Sequence, residues 1–420
     1  MKLLPTFTVF LLGAISHRGA EPSVAVTAVN EFGIELHERF ASSHPNLCLS
    51  PLSIETALAM TYAGADGSTR DEMAKVLRYP VDDKDGKTLN ESFQKLNDSL
   101  VALCKASEAR AAAEAARSGM KLDSVLILTA NRIFGQRGYK FQAPFLATLK
   151  DLYHSPLEEL DFASNPEIAR RRVNGWVEEQ TKKRIANLIP RNGITSKTRL
   201  ALASALYFKA PWDFEFFSLA TTPRPFFVMG KSVMQVETMT AKCTVRVSRE
   251  DGFMAVGIPY AGADLQMVIL LPSQPDGLAE VNKKLTAALL AKCAVMPEQE
   301  VILRLPKFKM ASLSMPLGTE LQAMGMKSAF DKPPGSANFA GMAPPRRGDY
   351  LGLSEIYHKT FIVVDERGAE AAAATTPGAM SLGGPPEPIV PLPPLEIRVD
   401  RPFIFAIQHA PSGACLFLGR

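Results

Sequence analysis

Eight stretches of this chain alternate or run continuously in apolar residues over strand lengths: Val125 to Phe134, Leu200 to Phe208, Met254 to Tyr260, Leu265 to Leu271, Val301 to Lys309, Thr360 to Asp365, Glu396 to Val399 and Pro402 to His409. Runs of that kind in that number are buried only in large sheets. Helical stretches such as Pro166 to Ile189 separate them, and no long linker, internal repeat or block of like charge divides the 420 residues. The chain is therefore expected to be α+β and to fold as one unit. Ahead of the first run, Val26, Val29, Phe32, Leu36 and Phe40 recur at helical spacing, and Ser53 to Leu77 repeats the pattern in two pieces split by Gly64 and Gly67. The first hundred residues read as mainly helical. From Leu100 to Met120 an alanine-rich segment with interleaved Glu and Arg predicts an exposed helix held by propensity and i,i+4 pairs.

At 46% hydrophobic and 21% charged residues, the chain can fill a large core, which excludes disordered, collagen-like and small disulfide-scaffold classes. Its net charge of +4 is spread along the chain, so there is no electrostatic footprint for nucleic acid or an anionic membrane. Basic Lys105, Arg110, Arg117 and Lys121 are interrupted by Glu108 and Glu114 and read as a solvated face, not a polyanion site. The five cysteines, Cys48, Cys104, Cys243, Cys293 and Cys415, form no CxxC and have no histidine at ligand spacing. Neither a disulfide framework nor a metal site is expected, and the thiols read as buried apolar fillers. At the amino terminus Met1 and Lys2 precede a mostly apolar run from Leu3 to Ile15, with small residues Ala14 and Ser16 before His17. Residues 1–16 are read as a signal peptide, 17–420 as the folded domain, and the product as secreted and extracellular.

One interval stands apart. GAEAAAATTPGAMSLGGPPEPIVPLPPLEIRVDRP runs from Gly368 to Pro402; tiny side chains fill its first part, and six prolines lie between Pro385 and Pro394. A loop of that length inside a compact domain is usually functional or disordered. Enzyme motifs are missing: there is no GxSxG elbow, HExxH helix, phosphate-binding loop or dinucleotide GxGxxG. His358 with Ser50 or Ser53 leaves a Ser–His hydrolase as a formal alternative, although a single histidine beside a strand is more often a hydrogen-bonded core residue. No catalytic residue, cofactor or metal is assigned, and the chain is not read as an enzyme.

Several motifs occur in a fixed order along the chain. They are NLCLSPLSIETALAMTYAGADGSTRDEM from Asn46 to Met73, NRIF from Asn131, NGWVEEQTKKRI from Asn174, YFKAPW ending at Trp212, LPKF from Leu305, HKTFIVVDERGAEAAAAT from His358, DRPFIF from Asp400 and FLGR closing at Arg420. In these the chain resembles the serpins, the serine-protease-inhibitor fold, from about Val24 to its carboxyl terminus. The resemblance implies three β-sheets, eight or nine helices and an exposed reactive-centre loop, here about residues 366–395. It also implies a monomeric inhibitor, consumed in one turnover as its target serine protease is trapped in a covalent complex.

Carried over residue by residue, the resemblance makes Glu366 and Gly368 the start of the hinge, followed by Ala369, Glu370, Ala371, Ala372, Ala373, Ala374 and Thr375. It pairs Glu366 with Lys307. It places Ser53 and His358 in the middle of the central sheet, where they hold it closed, with Ser204 in place of the usual Asn, and it counts Trp212 and Lys307 with them as controlling sheet opening. Counting from Gly368 puts the scissile bond at Leu382–Gly383, with Met380–Ser381 as runner-up. Both offer a medium apolar side chain and no Arg or Lys lies between Gly368 and Arg398, so the expected target is a chymotrypsin-like or elastase-like protease. The residues agree with that mechanism. If the loop enters a packed sheet, alternate side chains must be small, and Ala369, Ala371, Ala373 and Thr375 share one face while Glu370 lies on the other. Pro377 and the long proline-rich tail weigh toward the alternative, a non-inhibitory serpin acting as carrier, chaperone or storage protein.

Overall fold

A computed structural model describes residues 22–83, 85–119, 122–228, 230–346, 348–366 and 394–420. In chain order its helices are α1 (Val24–Ala41), α2 (Pro51–Tyr62), α3 (Gly67–Val76), α4 (Lys87–Ser118), α5 (Ala143–Asp151), α6 (Pro166–Gln180), α7 (Leu278–Lys284), α8 (Ala287–Cys293) and α9 (Gly318–Met324). The strands are β1 (Cys48–Leu49), β2 (Leu126–Gln136), β3 (Glu158–Leu160), β4 (Leu200–Lys209), β5 (Thr222–Val228), β6 (Ser232–Glu250), β7 (Phe253–Pro259), β8 (Leu265–Pro272), β9 (Glu298–Pro306), β10 (Phe308–Ala311), β11 (Met315–Pro316), β12 (Leu353–Val364), β13 (Leu395–Arg398), β14 (Ile404–His409) and β15 (Ala414–Gly419).

Among the described residues these strands form two hydrogen-bonded sheets of six and nine strands. The nine-stranded one has two lobes that share β6: its first half pairs with β5, its middle with β9 and its last residues with β7. The three sheets expected are thus present as one sheet plus two lobes made continuous by a single 19-residue strand. In the six-stranded sheet the order is β10–β12–β4–β2–β3, with β11 also on β12. Every residue of β4 except Lys209 is buried. Leu200, Leu202, Leu206 and Phe208 enter the main core, while Ala201, Ala203, Ala205 and Tyr207 pack against the α6 side with Trp176 and Val173. A strand covered on both faces must be apolar throughout, which is why this segment reads as a continuous run.

Helix α2 lies against this sheet with all twelve residues buried. Ser50 caps it by accepting the Ser53 N–H at 3.1 Å, and Pro51 opens the first turn, where no N–H is needed. The alanine-rich helix is longer than the sequence indicates: it begins at Lys87 because Leu89, Phe93, Leu96, Leu100 and Leu103 extend a buried stripe ahead of the alanines. Helix α6, by contrast, stops at Gln180, nine residues short of the expected Ile189; Lys182, Lys183 and Asn187 take left-handed backbone angles there. The Val301–Lys309 run is divided at Lys307 between β9 and β10, which belong to different sheets.

Candidate functional site: the seam of the six-stranded sheet

Strands β12 and β4 lie side by side in parallel, paired from Leu353↔Leu200 to Ile362↔Phe208 with one register shift between Leu353 and Glu355. A polar row crosses this seam. His358 on β12 faces Ser204 on β4, which faces Asn131 on β2. Ser53 reaches into the row from α2: its hydroxyl lies 2.9 Å from that of Ser204 and donates to Asn131 Oδ1 at 2.6 Å. His358 closes the other end, with Nδ1 3.0 Å from Ser204 Oγ and Nε2 accepting the Ser50 N–H at 2.9 Å.

The direction of every hydrogen bond in this row can be deduced. A backbone N–H only donates, so His358 Nε2 carries no proton, and the neutral ring bears its hydrogen on Nδ1. Nδ1 then donates to Ser204, Ser204 to Ser53, and Ser53 to Asn131. Burial pushes the imidazole down to about 3, and the Ser204 contact only partly opposes it. The ring is inaccessible to solvent and both nitrogens are used. Of the two serines named with it, Ser53 contacts Ser204 and Asn131, and Ser50 meets the ring through its backbone N–H; the hydroxyl beside His358 is that of Ser204.

A second cluster lies at the end of the seam. Trp212, three residues beyond β4, donates its Nε1–H to the carbonyl of Asp365, which follows β12, at 2.9 Å. The indole stacks on Tyr260 with centroids 4.5 Å apart, which fixes its orientation. Next in the chain, Glu366 accepts from Lys307 Nζ at 2.8–2.9 Å and from the Thr221 hydroxyl at 2.8 Å. Burial alone would raise this carboxyl, but the bonds from Lys307 and Thr221 outweigh it and hold it below the usual carboxylate range. With its side chain only 11% exposed, this pair is better placed than an ordinary surface pair.

The sequence-predicted residues Ser53, Ser204 and His358 are thus brought together, and Trp212, Lys307 and Glu366 meet at the seam's end. Gly368, Ala369, Glu370, Ala371, Ala372, Ala373, Ala374, Thr375, Met380, Ser381, Leu382 and Gly383 lie outside the described residues, as does the 1–16 segment. Asn131, Thr221 and the Ser50 amide were not singled out from sequence. The NRIF motif carried Asn131, but only strand register shows that it faces Ser204. Four of the five cysteines are buried and Cys104 is half-buried; all are free thiols, pushed up by burial, with Cys48, Cys243 and Cys293 reaching about 12.

The family model described as Serpin (serine protease inhibitor) matches residues 27–420. The chain belongs to the serpin family. Among its relatives, Serpin B10 of Otolemur garnettii is 35% identical over 94% of this chain and 98% of its own. Leukocyte elastase inhibitor of Equus caballus is 33% identical, with the same coverage of each chain. Uncleaved ovalbumin has a similar structure, with a TM-score of 0.77 at 26% identity over 95% of this chain and 99% of that one. Native protease nexin-1, solved with heparin, gives 0.77 and 26% over 94% and 98%. The serpin fold expected from sequence is the fold observed, with nine α-helices among the described residues.

Proposed function

We propose that this serpin inhibits chymotrypsin-like or elastase-like serine proteases as a suicide substrate, cleaved at Leu382–Gly383 or, second, at Met380–Ser381. The observation that carries the reading is the parallel β12–β4 seam with the hinge rooted at its end. A segment that leaves β12 at Val364 and turns back runs antiparallel to both β12 and β4. If it enters between them, one interstrand ladder is replaced by two, and the added hydrogen bonds contribute about 1 kcal/mol each net. Entry must first undo the His358–Ser204 contact in the middle, and the Trp212–Asp365 and Lys307–Glu366 contacts at the end. The bait's apolar residues, the family's description as serine protease inhibitors and the name of the relative leukocyte elastase inhibitor support the target class.

Insertion drags the acylated protease with it and leaves the acyl ester unhydrolysed, so inhibition is a race between insertion and deacylation. Pro377 removes one ladder N–H if insertion runs that far, the feature that favours the non-inhibitory alternative. Export through the apolar 1–16 segment is part of the proposal; its check is the amino-terminal sequence of the protein recovered from the medium of expressing cells. The deciding experiment for function is incubation with trypsin-, chymotrypsin- and elastase-like enzymes followed by denaturing gel analysis. A one-to-one, denaturant-resistant adduct with an elastase-like or chymotrypsin-like enzyme is expected, with a released peptide beginning at Gly383 or Ser381. Cleavage by every enzyme without an adduct would favour the non-inhibitory serpin.

A further inference from the structure

A groove of about 990 Å³ opens between the end of α1 and its following turn, the β5–β6 hairpin, and the β9–β10 junction. Phe308, Phe403 and Phe405 line it as a packed aromatic trio, with ring centroids 5.5–6.4 Å apart, and Met234 and Leu313 stand exposed around it. The basic side chains that line it are His44, Lys307, Lys309 and Arg420; the Cys48 thiol, pushed up by burial, is the other titratable side chain, and no Asp or Glu side chain is among them. Three of the four are already engaged. Lys307 holds Glu366, Lys309 lies 5.0 Å from the Phe361 ring centroid, and His44 Nδ1 is bonded within its own turn to Ser43 Oγ at 2.9 Å.

Arg420 is different. Its backbone is clamped to Leu47 by bonds of 2.8 and 3.2 Å, and one guanidinium nitrogen donates to the Ala41 carbonyl. Its Nε is buried and has no hydrogen-bond partner among the described residues. Arg420 makes no ion pair with an Asp or Glu side chain among the described residues, and a buried donor left without a partner costs free energy. We propose that this groove binds an amphipathic anion, an apolar body bearing one carboxylate or sulfonate, with the body on the Phe308–Phe403–Phe405 wall and the anionic head on Arg420. The volume suits a ligand of drug or fatty-acid size, and the basic lining favours an anion over a cation.

The test uses two fluorescent probes of similar aromatic body, 1-anilinonaphthalene-8-sulfonate, which is anionic, and N-phenyl-1-naphthylamine, which is uncharged. Saturable one-site binding of the anionic probe, displaced by oleate, is expected. Arg420→Gln should weaken the anionic probe roughly fivefold or more and leave the neutral probe within about twofold. Met234→Glu, at a half-exposed position, should also weaken the anionic probe selectively by bringing a like charge to the groove. Absence of saturable binding, equal loss of both probes in Arg420→Gln, or an anionic-probe affinity unchanged by Met234→Glu would each overturn the assignment.

Discussion

Glu55 sits in the second turn of α2, two residues beyond Ser53, with no solvent exposure. Oε2 accepts from the Tyr79 hydroxyl at 2.5 Å, and Oε1 has no partner among the described residues. Burial raises this carboxyl from 4.5 to about 8, and the Tyr79 bond only partly opposes it. The folded protein therefore holds Glu55 protonated at neutral pH, whereas the unfolded chain releases that proton above pH 4.5. Stability is fully retained below 4.5 and is lost as pH rises toward 8, at about 1.4 kcal/mol per pH unit, hence about 3 kcal/mol by pH 7. Glu55→Gln removes this dependence. The amide still accepts from Tyr79 but adds one unsatisfied N–H, costing about 1 kcal/mol. The variant should be less stable than wild type by about 1 kcal/mol at pH 4.5 and more stable by about 2 kcal/mol at pH 7. Urea unfolding followed by tryptophan fluorescence at half-unit pH steps measures the crossing. A difference between the two proteins that does not change across pH 4.5–7.5 refutes the buried, neutral carboxyl.

Ala371→Glu or Ala373→Arg should convert inhibitor to substrate, because an unpaired charge entering the sheet costs several kcal/mol and slows insertion; wild-type stoichiometry of inhibition in either variant would show that this face does not enter. Ser204→Ala breaks the relay between His358 and Ser53 and should cost about 1–3 kcal/mol, seen as a lower melting temperature and faster loss of inhibitory activity on incubation. His358 is held down to about 3, so it opposes folding increasingly as pH falls from 6.5. His358→Gln should lose stability less steeply over pH 6.5–4, by about 1.4 kcal/mol per unit. Lys307→Ala should destabilise the hinge anchor by about 1 kcal/mol at pH 7, with the effect fading as pH falls below 4.5, where Glu366 takes up its proton.

Segments buried on both faces were the most legible. β4 announces itself because, Ser204 aside, nothing polar interrupts it before Lys209, whereas the end of β12 alternates buried and half-buried residues and is legible through its aromatic and β-branched run. β6 was not read as a strand, since eight of its 19 residues are exposed and Glu237, Lys242 and Arg246 break the apolar pattern. β5 carries Pro223 and Pro225, which are compatible with a strand there because it pairs only with β6, at an edge. The end of α6 was invisible because the left-handed positions that stop it are lysines, not glycines. Within the site, Ser53, Ser204, His358, Trp212, Lys307 and Glu366 could be named from motifs, but the row they form depends on strand register, which a sequence does not display. Asn131 and Thr221 joined only through that geometry. Glu55 and Arg420 looked unremarkable because burial, not residue type, gives each its character.

Intact protein and protein nicked at Leu382–Gly383 differ by one peptide bond, and their melting temperatures test the central claim directly. If the severed segment enters the β12–β4 seam, Ala369 to Thr376 gains ladder bonds on both sides, and even with Pro377 excluded the gain of about 1 kcal/mol per bond stabilises the nicked form. The nicked protein is expected to melt at a clearly higher temperature than the intact one. An equal or lower melting temperature, the outcome for an ordinary surface loop, would mean that the seam does not open and that this serpin is not an inhibitor of the inserting kind.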